Sequence, residues 1–119
     1  MPVKVRPTAF ANDLTPKVDR LIEVYGVSGL ASLVGVSKSQ PTRWRQGSEQ
    51  PGAAATKQLL GLEYLTSRLA EELTPRQTQA WFASPNAFLR GSTPAVVFTE
   101  FGGQAVEPAI AAIEVGAAV

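Results

Sequence analysis

The sequence predicts an all-α fold. Apolar side chains recur every three to four residues in several segments, Thr-Pro pairs stand at 15–16, 74–75 and 93–94 as helix-start signals, and no stretch alternates as a strand would. At 119 residues the chain is one domain's worth, and a chain of that size buries roughly two thirds of its unfolded surface. Residues 1–13, with Pro2 and Pro7 and no periodicity, read as a flexible arm. Residues 14–73 read as a helix-turn-helix domain with a long helix, and 74–119 as a second helical region with a tail.

Thr15 caps the first helix and Pro16 costs no hydrogen bond at its first position. Val18, Leu21, Ile22 and Tyr25 then form one apolar stripe, and Gly26 closes the helix. Ser28 starts a short helix carrying Leu30, Ala31, Leu33 and Val34, which Gly35 stops. A third helix starts between Ser37 and Ser39 and ends at Gly47. The longest helix covers about 53–73, with Ala55, Leu59, Leu62, Leu69 and Leu73 as its stripe and Thr66 inside it. Leu60 and Tyr64 fall on nearly the opposite side, among Lys57, Arg68 and Glu71, and mark a candidate dimer contact. Short helices follow from Thr74 to about Phe82 and from Thr93 to the Gly102 and Gly103 stop, with a turn at Ser84, Pro85 and Asn86 between them. The last runs from Gln104 or Glu107 to Val115, with Pro108 tolerable only in its first turn.

Composition excludes whole classes of chemistry. With no cysteine and no histidine there is no disulfide scaffold, cysteine zinc site, thiol nucleophile or histidine triad. The remaining acid–base groups are scattered, with no glycine-rich phosphate loop, so neither catalysis nor a cofactor is expected. The longest uncharged stretch, 24–37, contains three glycines and is too short to span a bilayer, and the N-terminus lacks a signal-peptide core; a cytoplasmic protein is expected. The net charge of +1 hides an asymmetry. Residues 1–58 carry eight basic and four acidic side chains, residues 59–119 three and six, so the halves suit different partners.

Residues 27–47 carry the clearest motif: two short helices joined by Gly35, Val36 and Ser37 make a helix-turn-helix. Val36 and Trp44 tuck the second helix against the first, beside the small Ala31. Lys38, Ser39, Gln40, Thr42, Arg43 and Gln46 then face outward, with Arg45 toward the flank. This polar, basic surface without an acid suits a DNA major groove. Arginine can bind guanine bidentately, glutamine can bind adenine and the short hydroxyls can hold phosphate; Arg43 is the expected base reader, with Lys38 and Arg45 mainly on phosphate. Pro41 stands where such helices place a buried aliphatic residue, so the helix must begin late, near Ser39.

With this motif and the segment WFASPNAFLRGSTPAVVF at 81–98, the chain resembles the Xre/MbcA/ParS-type antitoxins over about residues 15–116. The family's Trp-x-x-x-Pro-Asn turn and Leu-x-Gly-x-x-Pro motif match Trp81, Pro85, Asn86, Leu89, Gly91 and Pro94. Gly102, Gly103 and a helix with Val106, Ile110 and Ile113 follow; the departures are Pro41, Pro108 and the short, uncharged end. The resemblance implies a non-catalytic antitoxin encoded beside a RES-domain toxin that consumes NAD. It would cover the toxin's active site, and the complex would repress its own operon. Trp81, Pro85, Asn86, Leu89, Gly91, Pro94 and Phe98 would then form the toxin-binding segment, with the tail Ala117, Ala118 and Val119 at the toxin's pocket. A stand-alone helix-turn-helix repressor with a dimerising C-terminal half is the alternative, and a pole-localising scaffold a third.

Overall fold

The structure, a computed structural model, describes residues 14–116; the expected arm at 1–13 and the tail residues Ala117, Ala118 and Val119 lie outside the described residues. Among the described residues six α-helices follow one another: α1 Thr15–Val34, α2 Gln40–Gln46, α3 Ala53–Leu69, α4 Pro75–Phe82, α5 Pro94–Phe101 and α6 Glu107–Glu114. Single 3-10 turns at Ala87–Leu89 and Gly103–Val106 link the last three. The all-α expectation is met, and no strand occurs among the described residues.

The two helices expected before residue 35 are present, divided at Gly26 as expected, and follow each other so closely across a kink that they are described together as α1. Gly26 lies inside α1 with φ 78° and ψ 166°, after which the chain resumes its helix at once. Its expected stripe is buried as Val18, Leu21, Ile22 and Tyr25 before the kink, and as Leu30, Ala31, Leu33 and Val34 after it. Gly35, left-handed at φ 81°, closes α1, and Gly47, at φ 78°, closes α2. Pro41 sits in the first turn of α2 and is itself buried, filling the place of the expected aliphatic residue.

The long helix ends four residues earlier than expected. α3 stops at Leu69, and Leu73 is half-buried in the turn beyond it. Its buried face is Ala55, Leu59, Leu62, Leu65 and Leu69; Leu65 was missing from the expected stripe, although Leu62, Leu65 and Leu69 follow the i, i+3, i+7 rule. α1 packs along α3, and the 103–106 turn and α6 pack on it as well. The aromatic rings of Phe82 and Tyr25 meet edge-to-face with centroids 5.4 Å apart, joining α4 to α1. Tyr25 and Thr66 share a 2.7 Å hydrogen bond between their hydroxyls, which satisfies a phenol buried against α3. One continuous apolar core results, reaching from Leu14 to Ile110.

Each later helix has a local reason to start. Thr74 and Gln77 form a capping box on α4, each side chain bonding the other's backbone N–H. The Thr93 hydroxyl accepts from Val96 N–H at the start of α5. Gly102, at φ 91° and ψ 176°, then turns the chain sharply back to α3. A Cβ on Gly103 would touch Leu65 at 3.5 Å and Phe98 at 3.7 Å, so a bare backbone lets this turn lie close on the leucine face.

Gly26 and Gly102 occupy a backbone region that is essentially glycine's alone, and nothing lies within 4 Å of an added Cβ at either. Gly26→Ala or Gly102→Ala is therefore expected to cost about 1–3 kcal/mol of stability through backbone strain alone. Gly61→Ala, in mid-helix with only an ordinary 3.8 Å contact to Phe98, is expected to gain up to about 1 kcal/mol. Urea unfolding of the three variants checks the contrast; equal changes at all three sites would contradict it.

Candidate functional site

The helix-turn-helix forms as expected: α1's second half and α2 pack together, with Trp44 buried and Val36 half-buried between them. Lys38, Ser39, Arg43, Arg45 and Gln46 are exposed, whereas Gln40 and Thr42 are half-buried. The expectation of a surface without acid is corrected by the structure. Glu49 folds back against α2, its Oε1 accepting from Arg43 Nε at 2.6 Å and its Oε2 from Gln40 Nε2 at 3.0 Å. Ser39 Oγ accepts from Arg43 Nη1 at 3.0 Å. Arg45 pairs with Asp19 of α1 at 3.0 Å. Among the described residues no ion pair engages Lys38. The hydrogen bond from Arg43, followed by that from Gln40, holds the Glu49 carboxyl below the usual carboxylate range. Sequence reasoning missed Glu49 because it lies beyond the helix; its signal was the Gly47 stop, which sends the chain back across α2.

The 81–98 segment is built around Asn86. Its side chain accepts from Phe88 N–H at 2.9 Å, its carbonyl from the N–H groups of Leu89 and Gly91, and its own N–H donates to Ser92 O at 3.0 Å. Four hydrogen bonds therefore make Asn86 the architect of the loop. Arg90 takes a left-handed φ of 58° where the loop turns back. Pro85 and Gly91 are exposed, Leu89 and Trp81 half-buried, Pro94 and Phe98 buried. Phe98 has no exposed surface at all, so as an expected contact residue it is corrected: it supports the segment from beneath. The surface aromatic here is Phe88, 45% exposed, which sequence reasoning passed over. Trp81 packs edge-to-face on Phe82, its indole N–H buried without a partner among the described residues.

Leu60 and Tyr64 are exposed on the outer face of α3, as the spacing required. Tyr64 borders a groove of about 630 Å³ whose far side holds Phe101, 72% exposed. Beside them Arg68 clamps the last helix. Its Nη1 donates to both oxygens of Glu107 at 2.7 Å, while Nε and Nη2 reach Glu114 at 2.9 and 2.6 Å. The guanidinium also lies 5.4 Å from the Tyr64 ring centroid. Among the described residues no group of acidic side chains is placed to hold a metal ion, and no helix is long and apolar enough to cross a membrane.

A helix-turn-helix followed by a Trp-x-x-x-Pro-Asn segment and further short helices defines the class by fold: a small all-α helix-turn-helix protein. No family model matches the chain. Over 86 residues it is 31% identical to the mycobacterial cidal antitoxin MbcA of Mycobacterium bovis, covering 71% of this chain and 76% of that protein. The MbcA of Mycobacterium tuberculosis is similar to the same degree. A chain in the crystal structure of the M. tuberculosis MbcT–MbcA toxin–antitoxin complex superposes with a TM-score of 0.75 at 30% identity, covering 89% of this chain and 97% of its own length. The chain belongs to the MbcA antitoxin family.

The Arg68 clamp makes a prediction about pH. Arg68, through its hydrogen bonds first, holds the Glu114 carboxyl below its ordinary value. A depressed carboxylate contributes stability above its unfolded pKa of about 4.3 and loses it as pH falls through the folded value. Arg68→Met is therefore expected to lower the melting temperature by a few degrees at pH 7, with the gap closing toward pH 3. Calorimetric melts across that range check it, and a gap independent of pH would contradict it.

Proposed function

We propose that the chain is the antitoxin of a type II system whose cognate RES-domain toxin consumes NAD. It neutralises that toxin by covering its active site, and its helix-turn-helix represses its own operon in the cytoplasm. The observation that carries this reading is the likeness, over 89% of the chain, to a chain solved within a toxin–antitoxin complex. The charge arithmetic supports it, with a basic first half for operator DNA and an acidic second half for a protein. We read the chain as non-catalytic and without a cofactor, as its lack of histidine and cysteine implies.

The toxin-facing surface is assigned to Pro85, Leu89, Gly91 and the exposed Phe88. Trp81, Asn86, Pro94 and Phe98 hold this segment in shape, and Ala117, Ala118 and Val119 are assigned to the toxin's pocket. These small side chains have little rotamer entropy to lose when ordered in a cleft. Lys38, Ser39, Gln40, Thr42, Arg43 and Arg45 are assigned to DNA. The two surfaces lie on opposite ends of the sequence, so they should fail separately. Phe88→Asp is expected to weaken toxin binding by about 2 kcal/mol while leaving DNA binding intact, as for an interface anchor. Arg43→Ala is expected to cost about 1–3 kcal/mol on the operator and spare neutralisation. Calorimetric titration with the toxin and mobility shifts on the promoter read the two arms. A Phe88→Asp protein that binds and inhibits as before would overturn the toxin surface.

Two copies joined through Leu60 and Tyr64 would hold their recognition helices about one DNA turn, ~34 Å, apart. Leu60→Asp with Tyr64→Asp is expected to reduce the solution mass toward one copy without unfolding the chain, because both side chains are exposed. Light scattering with circular dichroism checks this, and an unchanged mass would remove these residues from any interface. The reading as a stand-alone repressor predicts the same dimer and no toxin in a copurification.

A further inference from the structure

A long arginine side chain discriminates bases well only when something fixes where its guanidinium points. On this surface the fixing group is Glu49, which no sequence motif marks. Gly47 reverses the chain after α2, and the N–H groups of Ser48 and Glu49 both bond Arg43 O, at 3.0 and 3.3 Å. Backbone bonds thereby seat Glu49 under the two residues best suited to read bases.

We infer that Glu49 is a specificity-determining positioning residue of the DNA-reading surface: it fixes the donor pattern of Arg43 and Gln40 and opposes attachment to DNA of arbitrary sequence. The inference rests on the DNA-reading role proposed above. Arg43 has five N–H donors. Glu49 Oε1 takes the Nε donor at 2.6 Å and Ser39 Oγ takes one from Nη1 at 3.0 Å. Three donors remain, all at the Nη end, so the guanidinium can offer guanine O6 and N7 only its terminal fork. Gln40 gives one amide N–H to Glu49 Oε2 at 3.0 Å and keeps its other N–H and its oxygen, the pair that adenine N7 and N6 require. One carboxylate thus sets two readers at once.

Its charge acts in the opposite direction on phosphate. Binding to any DNA sequence is driven by cations that displace counterions, and each neutralised phosphate adds about 0.9 to the salt slope. Arg43 paired with Glu49, and Arg45 paired with Asp19, present little net charge. The fold therefore weakens the non-selective term while ordering the selective one. The depressed pKa of Glu49 agrees with a carboxylate that stays charged in this role.

Fluorescence anisotropy on two duplexes tests it, one carrying the protein's own promoter and one a scramble of equal composition, each across a salt series. Glu49→Gln is expected to tighten binding to the scrambled duplex roughly three- to tenfold, raise the salt slope there by nearly one, and lower the promoter-to-scramble ratio about tenfold. Glu49→Asp, which keeps the charge but is one methylene too short to reach both partners, is expected to lose the ratio without gaining scrambled binding. Thermal melts confirm that both variants fold. A purely structural Glu49 would leave the ratio and the slope where they were, and that result overturns the inference while the DNA-reading role stands. A wild-type protein with no preference for its promoter overturns both.

Discussion

Everything in this molecule leans on one helix face. Leu59, Leu62, Leu65 and Leu69 of α3 are essentially removed from solvent, and they are covered by elements from both halves of the chain. α1 packs along them before the sequence reaches α3; the 103–106 turn and α6 return to them afterwards. A helix that is apolar on one stripe needs a partner for that stripe, and here neither half supplies enough surface alone. The short helices α4, α5 and α6, of eight residues each, are below the length at which helices persist by themselves. Their order comes from docking on α1 and α3, with caps and Gly102 setting where each begins or ends. The two halves of the sequence are therefore joined across a single core.

The same economy governs the charges. The sequence divides into a basic and an acidic half, yet the folded chain brings opposite signs together. Arg20 meets Glu63 at 3.1 Å between α1 and α3, Arg45 meets Asp19, Arg43 meets Glu49, and Arg68 holds Glu107 and Glu114. Exposed pairs of this kind contribute little stability each, because solvent screens them and side-chain entropy opposes them. Their larger effect is on the field outside. A surface whose arginines are paired attracts a polyanion less than a count of its arginines implies, and leaves recognition to placed donors.

The fold was largely legible because its signals are local. Thr-Pro starts, glycine stops and a 3.6-residue period need only a few neighbours to act, and they located the helices, although Thr15 is the first helical residue, after Leu14 at the cap position, and not the expected cap itself. The errors were of two physical kinds. Leu65 was lost because Leu62, Leu69 and Leu73 already satisfied a stripe, and the helix was carried four residues too far. The Glu49 contacts were missed although only six and nine positions separate the partners, because they cross the Gly47 stop outside the helix; the Arg68 clamp was invisible because it joins residues through space, 39 and 46 positions from its two carboxylates. No periodicity encodes such a pairing. The 81–98 segment lies between these cases. Its motif was readable, but which members face outward depended on the loop that Asn86 organises, and this put Phe88 at the surface and Phe98 beneath it.

A shared core constrains how the two proposed binding roles would coexist. If DNA and toxin were bound by domains joined through a flexible linker, occupying one would leave the other's geometry free. Here α2 is fixed to α1, α1 to α3, and the 87–89 turn to α6, which returns to α3. Densely packed interiors of this kind transmit position and resist continuous deformation. Under the proposed function, a toxin docked on the 85–91 surface adds bulk at a set place relative to α2, and leaves the reading helix as it was. Any influence of toxin on repression then arises outside the protomer, from how many copies assemble and how closely their α3 outer faces approach. The spacing of recognition helices becomes a property of that pairing, and the donor pattern within each helix a property of residues 39–49.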